Sequence, residues 1–231
     1  SFYPSKNLGA FGDGGMLITK DGDIAKKMRS LRNYGAPRKY FHTEIGTNSR
    51  LDSLQASILN VKLPYLTHWN QSRNHAAQLY DALLKPLQEK GIFPLQNQSS
   101  SGHIYHLYVI RIASQQLGEE IKADNPKSKI QNPKSVCPLD RQAIIEGLAV
   151  QGIQTGIHYP IPCHLQPAYE HLGYRNGDFP HAETLCNEIL SLPMYPGLSD
   201  AQIHQVVDAL QSLLYKGTNP HPNIQPAVIS G

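Results

Sequence analysis

The sequence predicts an α/β fold, and three observations carry that prediction. Residues 103–113 alternate as a strand, with Tyr105, Leu107, Val109 and Arg111 against His106, Tyr108, Ile110 and Ile112. Both faces are largely apolar, which suits a strand inside a sheet. Helical periods lie before and after it, a βαβ-like order. The chain has 231 residues, 40% of them hydrophobic, enough for one full core or two smaller ones closely joined. That composition excludes a fibrous or wholly disordered protein. No apolar run approaches the ~18 residues of a membrane-spanning helix. A formal net charge of +3 does not by itself point to nucleic acid. Cys137, Cys163 and Cys186 form no CxxC pair and leave an odd thiol. A disulfide framework or zinc site is therefore not expected, and a reducing cytoplasm is.

Residues 1–15 hold four glycines and no amphipathic period, and read as a tight loop. The loop feeds a short apolar strand, Met16-Leu17-Ile18-Thr19. Residues 21–23 offer helix caps ahead of Ile24, Met28 and Leu31, and Gly35 with Pro37 ends that helix. Asp52 opens a long helical region carrying Leu54, Ile58 and Leu59, which Pro64 breaks or kinks. The pattern resumes with Leu66, Trp69, Leu79, Tyr80 and Leu83. Residues 114–137 are polar and lysine-rich with Asn-Pro pairs, and read as loop. Asp140 caps a helix through Ile144, Ile145 and Leu148 that stops at Gly152, and a strand is expected over 153–159. Ser199-Asp-Ala-Gln202 is a capping box before Ile203, Val206, Val207, Leu210 and Leu214. Residues 217–231 are proline-rich and expected to fray as a disordered tail.

Chemistry concentrates in Ser1-Phe-Tyr-Pro-Ser-Lys6-Asn-Leu-Gly-Ala-Phe-Gly-Asp-Gly-Gly15. A lysine is nucleophilic only when neutral, which needs desolvation or a neighbouring positive charge. The bare residues leave Lys6 open as a nucleophile or as a solvated surface charge. The spacing is not that of a P-loop.

This run resembles the lysine segment of the DegT/DnrJ/EryC1/StrS family of pyridoxal-phosphate sugar aminotransferases. Its Ser-Phe, the lysine and the Asn/Leu-Gly-Ala to Asp-Gly-Gly stretch all stand here. The resemblance implies pyridoxal 5'-phosphate as cofactor. Lys6 would join it covalently and shuttle the proton, and Ser1 would bind its phosphate. A second block, Gly46-Thr-Asn48-Ser-Arg50, resembles the family's Gly-x-Asn-x-Arg motif. It implies that Asn48 reaches the phosphate held by a neighbouring subunit, hence a homodimer with shared active sites. Arg50 would meet substrate or serve as a structural ion-pair partner. A third block runs from Gln154 through His158-Tyr159-Pro-Ile-Pro-Cys-His164 to Pro196. It resembles the branch that aminates 3-keto nucleotide sugars, and it implies that Tyr159 and His164 lie near the sugar. His158 and His164 on their own lack a metal-ligand spacing.

What the resemblance implies is the C-terminal portion of a fold-type-I transferase. Residues 1–63 would be a remnant of the large cofactor-binding domain, and 64–216 the small α/β domain. The reaction would move an amino group from an amino acid, glutamate in most of the family, to a keto nucleotide sugar, at C3. Related sugar 3-dehydratases carry histidine at the lysine position, so Lys6 favours amino transfer. A 4-keto sugar or an inosose is the alternative acceptor, and a non-catalytic dimerising remnant the alternative role. Seven Lys/Arg against two Asp between Lys20 and Lys39 would attract a pyrophosphate, or simply form a solvated helix face.

Overall fold

A computed structural model describes residues 1–99, 102–113 and 135–216. The chain divides into two compact units, Ser1–Asn70 and Gln71–Gly231. The division falls inside a helix, between Asn70 and Gln71.

In the first unit, Asp21 caps α1 (Gly22–Leu31) by accepting from the amides of Asp23 and Ile24. Asp52 caps α2 (Ser53–Lys62) through the Gln55 amide at 2.9 Å. Pro64 lies in a short 3-10 turn, Leu63–Tyr65, between α2 and α3 (Leu66–Leu84), as its missing amide hydrogen requires. The strand expected at Met16-Leu17-Ile18-Thr19 is not one. No described strand pairs with it, and Ile18 is 85% exposed. An apolar run becomes a strand only when a partner takes its amides and carbonyls.

The second unit is built on a three-stranded antiparallel sheet in the order β1 (Ile92–Pro94), β2 (Tyr108–Ile112), β3 (Ile189–Leu192). β2 is the central strand, with Ile110 facing Pro94 on one side and Leu190 on the other. The helices between β2 and β3 therefore do not form a parallel crossover, since both pairings are antiparallel. β2 is also shorter than the predicted run. Arg73 on α3 donates to the backbone oxygens of Tyr105 and His106, at 3.1 Å each, and Tyr105 has φ +40. Those residues cannot hold a ladder. The strand expected over 153–159 reduces to one bridge between Gly156 and Ser191, and Pro160 and Pro162 supply no amide to extend it.

Asp140 caps α4 (Arg141–Val150), accepting from the Ala143 amide at 2.7 Å. α5 (Pro180–Glu188), which hydrophobic periodicity does not reveal, starts with proline in its first turn. The capping box before α6 (Asp200–Lys216) closes both ways. Ser199 Oγ accepts from the Gln202 amide, and Gln202 Oε1 accepts from the Ser199 amide at 3.0 Å. Tyr80 and Leu84 of α3, Ile110 and Ile112 of β2, Ile144 and Leu148 of α4, and Ile203 and Leu210 of α6 form one buried core. On the other side of β2, Arg111 meets Glu188 through Nε at 2.7 Å. The loop expected over 114–137 lies outside the described residues for 114–134, and so does the tail expected over 217–231. No described helix is long and apolar enough to cross a membrane.

Candidate active site

Lys6 sits on a loop that closes on itself. The Phe2 amide donates to Gly14 O and the Ala10 amide to Phe2 O, both at 2.7 Å, and the Lys6 amide donates to Tyr3 O at 2.9 Å. Closure needs glycine at position 9, where a Cβ would fall 2.3 Å from Pro4 O and 2.9 Å from Tyr3 O. The first unit's helices brace the loop. Gln55 Oε1 accepts from the Phe11 amide at 2.8 Å, Lys62 Nζ donates to Gly9 O, and Asn7 Nδ2 donates to Asn70 Oδ1 at 2.9 Å. Lys62 also lies 5.8 Å from the Phe11 ring centroid and 6.0 Å from that of Trp69. Lys6 itself is half-buried, whereas Ser1 is exposed and its Oγ accepts a long bond from the Tyr3 amide, 3.4 Å. Gln55, Lys62 and Asn70 are the supports that sequence reading did not assign, because their role appears only once the helices lie beside the loop.

Asn48 and Arg50 form a second construction in the same unit. The Thr47 amide donates to Leu31 O at 2.8 Å and the Ser49 amide to Arg32 O at 2.9 Å, which holds this strip against the end of α1. Gly46 permits the approach, since a Cβ there would lie 2.2 Å from Gly35 N. Arg50 Nε donates to Asn48 Oδ1 at 3.0 Å, and its guanidinium lies 5.5 Å from the Tyr34 ring centroid. With the amide oxygen taken, the N–H donors are what Asn48 can offer an anion. Arg50 thereby acts on Asn48.

Tyr159 and His164 belong to the second unit. Tyr159 is 66% exposed, beside a His158 ring whose Nδ1 lies 2.9 Å from Ser191 Oγ. His164 is committed elsewhere. Its side chain is only 8% exposed, its Nε2 lies 2.8 Å from Glu183 Oε1, and its ring stands 4.7 Å from that of Phe179. Glu183 also accepts from the Gly177 amide at 2.9 Å and the Phe179 amide at 3.1 Å. His164 thus anchors the loop over 173–179 and has that nitrogen occupied.

The family model for DegT/DnrJ/EryC1/StrS aminotransferases matches residues 1–131 and 120–211. The chain belongs to that family. Among curated family members, it is 41% identical over 92% of its length to the erythromycin biosynthesis sensory transduction protein EryC1 of Saccharopolyspora erythraea. It is 36% identical over 91% to dTDP-3-amino-3,4,6-trideoxy-alpha-D-glucose transaminase of Streptomyces venezuelae. To UDP-N-acetyl-3-dehydro-alpha-D-glucosamine 3-aminotransferase of Acidithiobacillus ferrooxidans it is 34% identical over 93%. It covers 50%, 48% and 50% of those proteins, so the chain spans about half the length of the curated relatives it matches. The solved structure of S. venezuelae DesV aligns with a TM-score of 0.74 at 36% identity, over 91% of this chain and 49% of that one. NtdA of Bacillus subtilis, solved with bound cofactor PMP, aligns with a TM-score of 0.72 at 28% identity, over 93% of this chain and 45% of that one.

Proposed function

We propose that this chain carries the lysine-bearing part of a pyridoxal-phosphate aminotransferase. The enzyme moves an amino group from an amino acid, glutamate by the family's habit, to C3 of a keto nucleotide sugar. The observation that carries this reading is the closed loop that holds Lys6, built by the residues of the family motif and braced from α2 and α3. Relatives named for 3-amino and 3-dehydro sugars support the position and the substrate class.

The residues present suit the cofactor's aldehyde and phosphate ends. A primary amine stands half-buried on a loop whose glycine at position 9 lets backbone approach backbone. Asn48 offers N–H donors because Arg50 occupies its oxygen. When bound, the cofactor supplies an electron sink for the carbon that exchanges its amino group. Lys6 would hold it covalently and move the proton at Nζ. Ser1 Oγ and Asn48 Nδ2 would bind the phosphate, Asn48 from the partner in a homodimer, and Arg50 would fix the Asn48 amide. Tyr159 would meet the sugar, and His164 would shape that end through Glu183. The enzyme works in the cytoplasm on this reading.

Reduction with borohydride in the presence of pyridoxal 5'-phosphate, followed by peptide mapping, tests the cofactor site. The label is expected on Lys6 ahead of the exposed Lys26 and Lys39. Equal labelling of all three lysines would overturn the assignment. In an active preparation, Lys6→Ala is expected to lower amino transfer from glutamate by ~10²–10⁴-fold, the range for loss of a proton-transferring side chain. Unchanged turnover would sink the enzymatic role.

A further inference from the structure

Three thiols are free in the second unit, and they differ in setting. Cys137 is buried, Cys163 exposed and Cys186 half-buried. The last two lie on either side of one contact. Cys163 begins the short turn Cys163–Leu165, and its neighbour His164 meets Glu183 at 2.8 Å. Glu183 lies three residues before Cys186 on α5, so the two share a face of that helix. Adjacent Cα atoms are ~3.8 Å apart and a helical turn advances ~5.4 Å, so the contact draws both cysteines to one small area of the surface. Burial first, and then the neighbouring Cys163, raise the Cys186 thiol above its usual value. Arg141 stands at the same spot. Its Nη1 donates to Cys186 O at 2.6 Å and to Ile189 O at 3.2 Å, which holds the end of α5 in place. Its charge favours the Cys186 thiolate against the effect of burial.

We infer that Cys163 and Cys186 are a modification site: they close into a reversible disulfide when a small-molecule disulfide is present, fastening the turn that carries His164 to α5. The reaction balances as two thiol–disulfide exchanges. The exposed Cys163 thiolate attacks one sulfur of oxidised glutathione and releases one glutathione thiolate. Cys186, as thiolate, then attacks the Cys163 sulfur of the mixed disulfide and releases the second. The protein loses two electrons and two protons, and oxidised glutathione takes them up as two thiols. The inference does not depend on the reaction proposed above, since it concerns only the second unit.

The test is to incubate the purified native protein with oxidised glutathione, quench with acid and map the peptides by mass spectrometry. The expected product has lost the mass of two hydrogens, joins the peptides of Cys163 and Cys186, and returns to the starting mass with dithiothreitol. Cys137 stays unmodified until denaturant is added, which reports that the fold is intact during the reaction. Cys186→Ser should leave glutathione on Cys163, and Cys163→Ser should abolish the crosslink. Persistent glutathione on Cys163 in the unsubstituted protein would overturn the proposal. So would a link through Cys137, or no reaction at either sulfur.

Discussion

The two units of this chain spend their apolar side chains differently. In the second, Leu84, Ile92, Ile110, Leu148, Leu190 and Leu210 are all fully buried in one core between the sheet and its helices. In the first, the buried apolar residues are Ala10, Ala36 and Leu59, while Phe11, Met16, Leu17, Ile18 and Ile45 stay exposed. The motif loop is nevertheless well formed, because backbone hydrogen bonds, a glycine and three bracing side chains hold it. The lesson is that local geometry and burial can be supplied separately. The proposed chemistry sits where hydrogen bonds hold the shape, and the stability sits where side chains interlock.

Truncation in the two units should break that comparison first if it is wrong. Leu210→Ala removes a fully buried side chain from the second unit's core and is expected to cost about 2–5 kcal/mol, read as a lower denaturation midpoint. Ile18→Ala in the first unit should stay within about 0.5 kcal/mol. Equal costs would mean that Ile18 is covered in the working protein, and the contrast between the units would fail.

Helix caps provide a smaller and more even effect. Asp140→Ala before α4 and Asp52→Ala before α2 should each cost about 1 kcal/mol, since each leaves one amide at the helix start unpaired. Hydrogen exchange of the first turn of each helix reads this locally. No change in protection at either turn would show that water serves as well as the carboxylate.

The smallest effect separates the units by sign. Burial holds the Glu188 carboxyl above its ordinary value of 4.5, although Arg111 pulls the other way. The folded form therefore binds the proton more tightly than the unfolded one. Its contribution to stability is complete below the ordinary value and is lost as pH rises through the raised one. In the first unit, the Lys27 ammonium holds the half-buried Glu44 carboxyl below its ordinary value. That contribution is present above the ordinary value and is lost as pH falls. Protection around β3 should therefore hold up in mild acid while that of the strip beside α1 weakens, and Glu188→Gln and Glu44→Gln should each flatten their own slope. The same direction in both units would contradict these shifts.

Parts of this fold were legible residue by residue. Asp21, Asp52, Asp140 and the Ser199–Gln202 box all cap the helices that they announce, because a cap is a bond between near neighbours. The apolar alternation around Ile110 pointed to a central strand, and β2 is one. Its length was not legible, because Arg73, far away in sequence, claims the carbonyls of Tyr105 and His106. β3 was missed for a similar reason. Ile189 to Leu192 has no alternation to read, since all four residues are buried. At the site, the motif named Lys6, Asn48 and Arg50. That Arg50 ties up the Asn48 oxygen, and that His164 is committed to Glu183, no spacing could reveal.

By itself, then, the sequence determined the starts of four helices, α1, α2, α4 and α6, the motif loop and the family, since these depend on residues within a few positions of one another. Tertiary structure alone decided which apolar runs became strands, which way they paired, and which polar side chains remained available for a ligand. A ladder and a buried hydrogen bond each need a partner brought from a distance, and which partner arrives is settled only when the chain has packed.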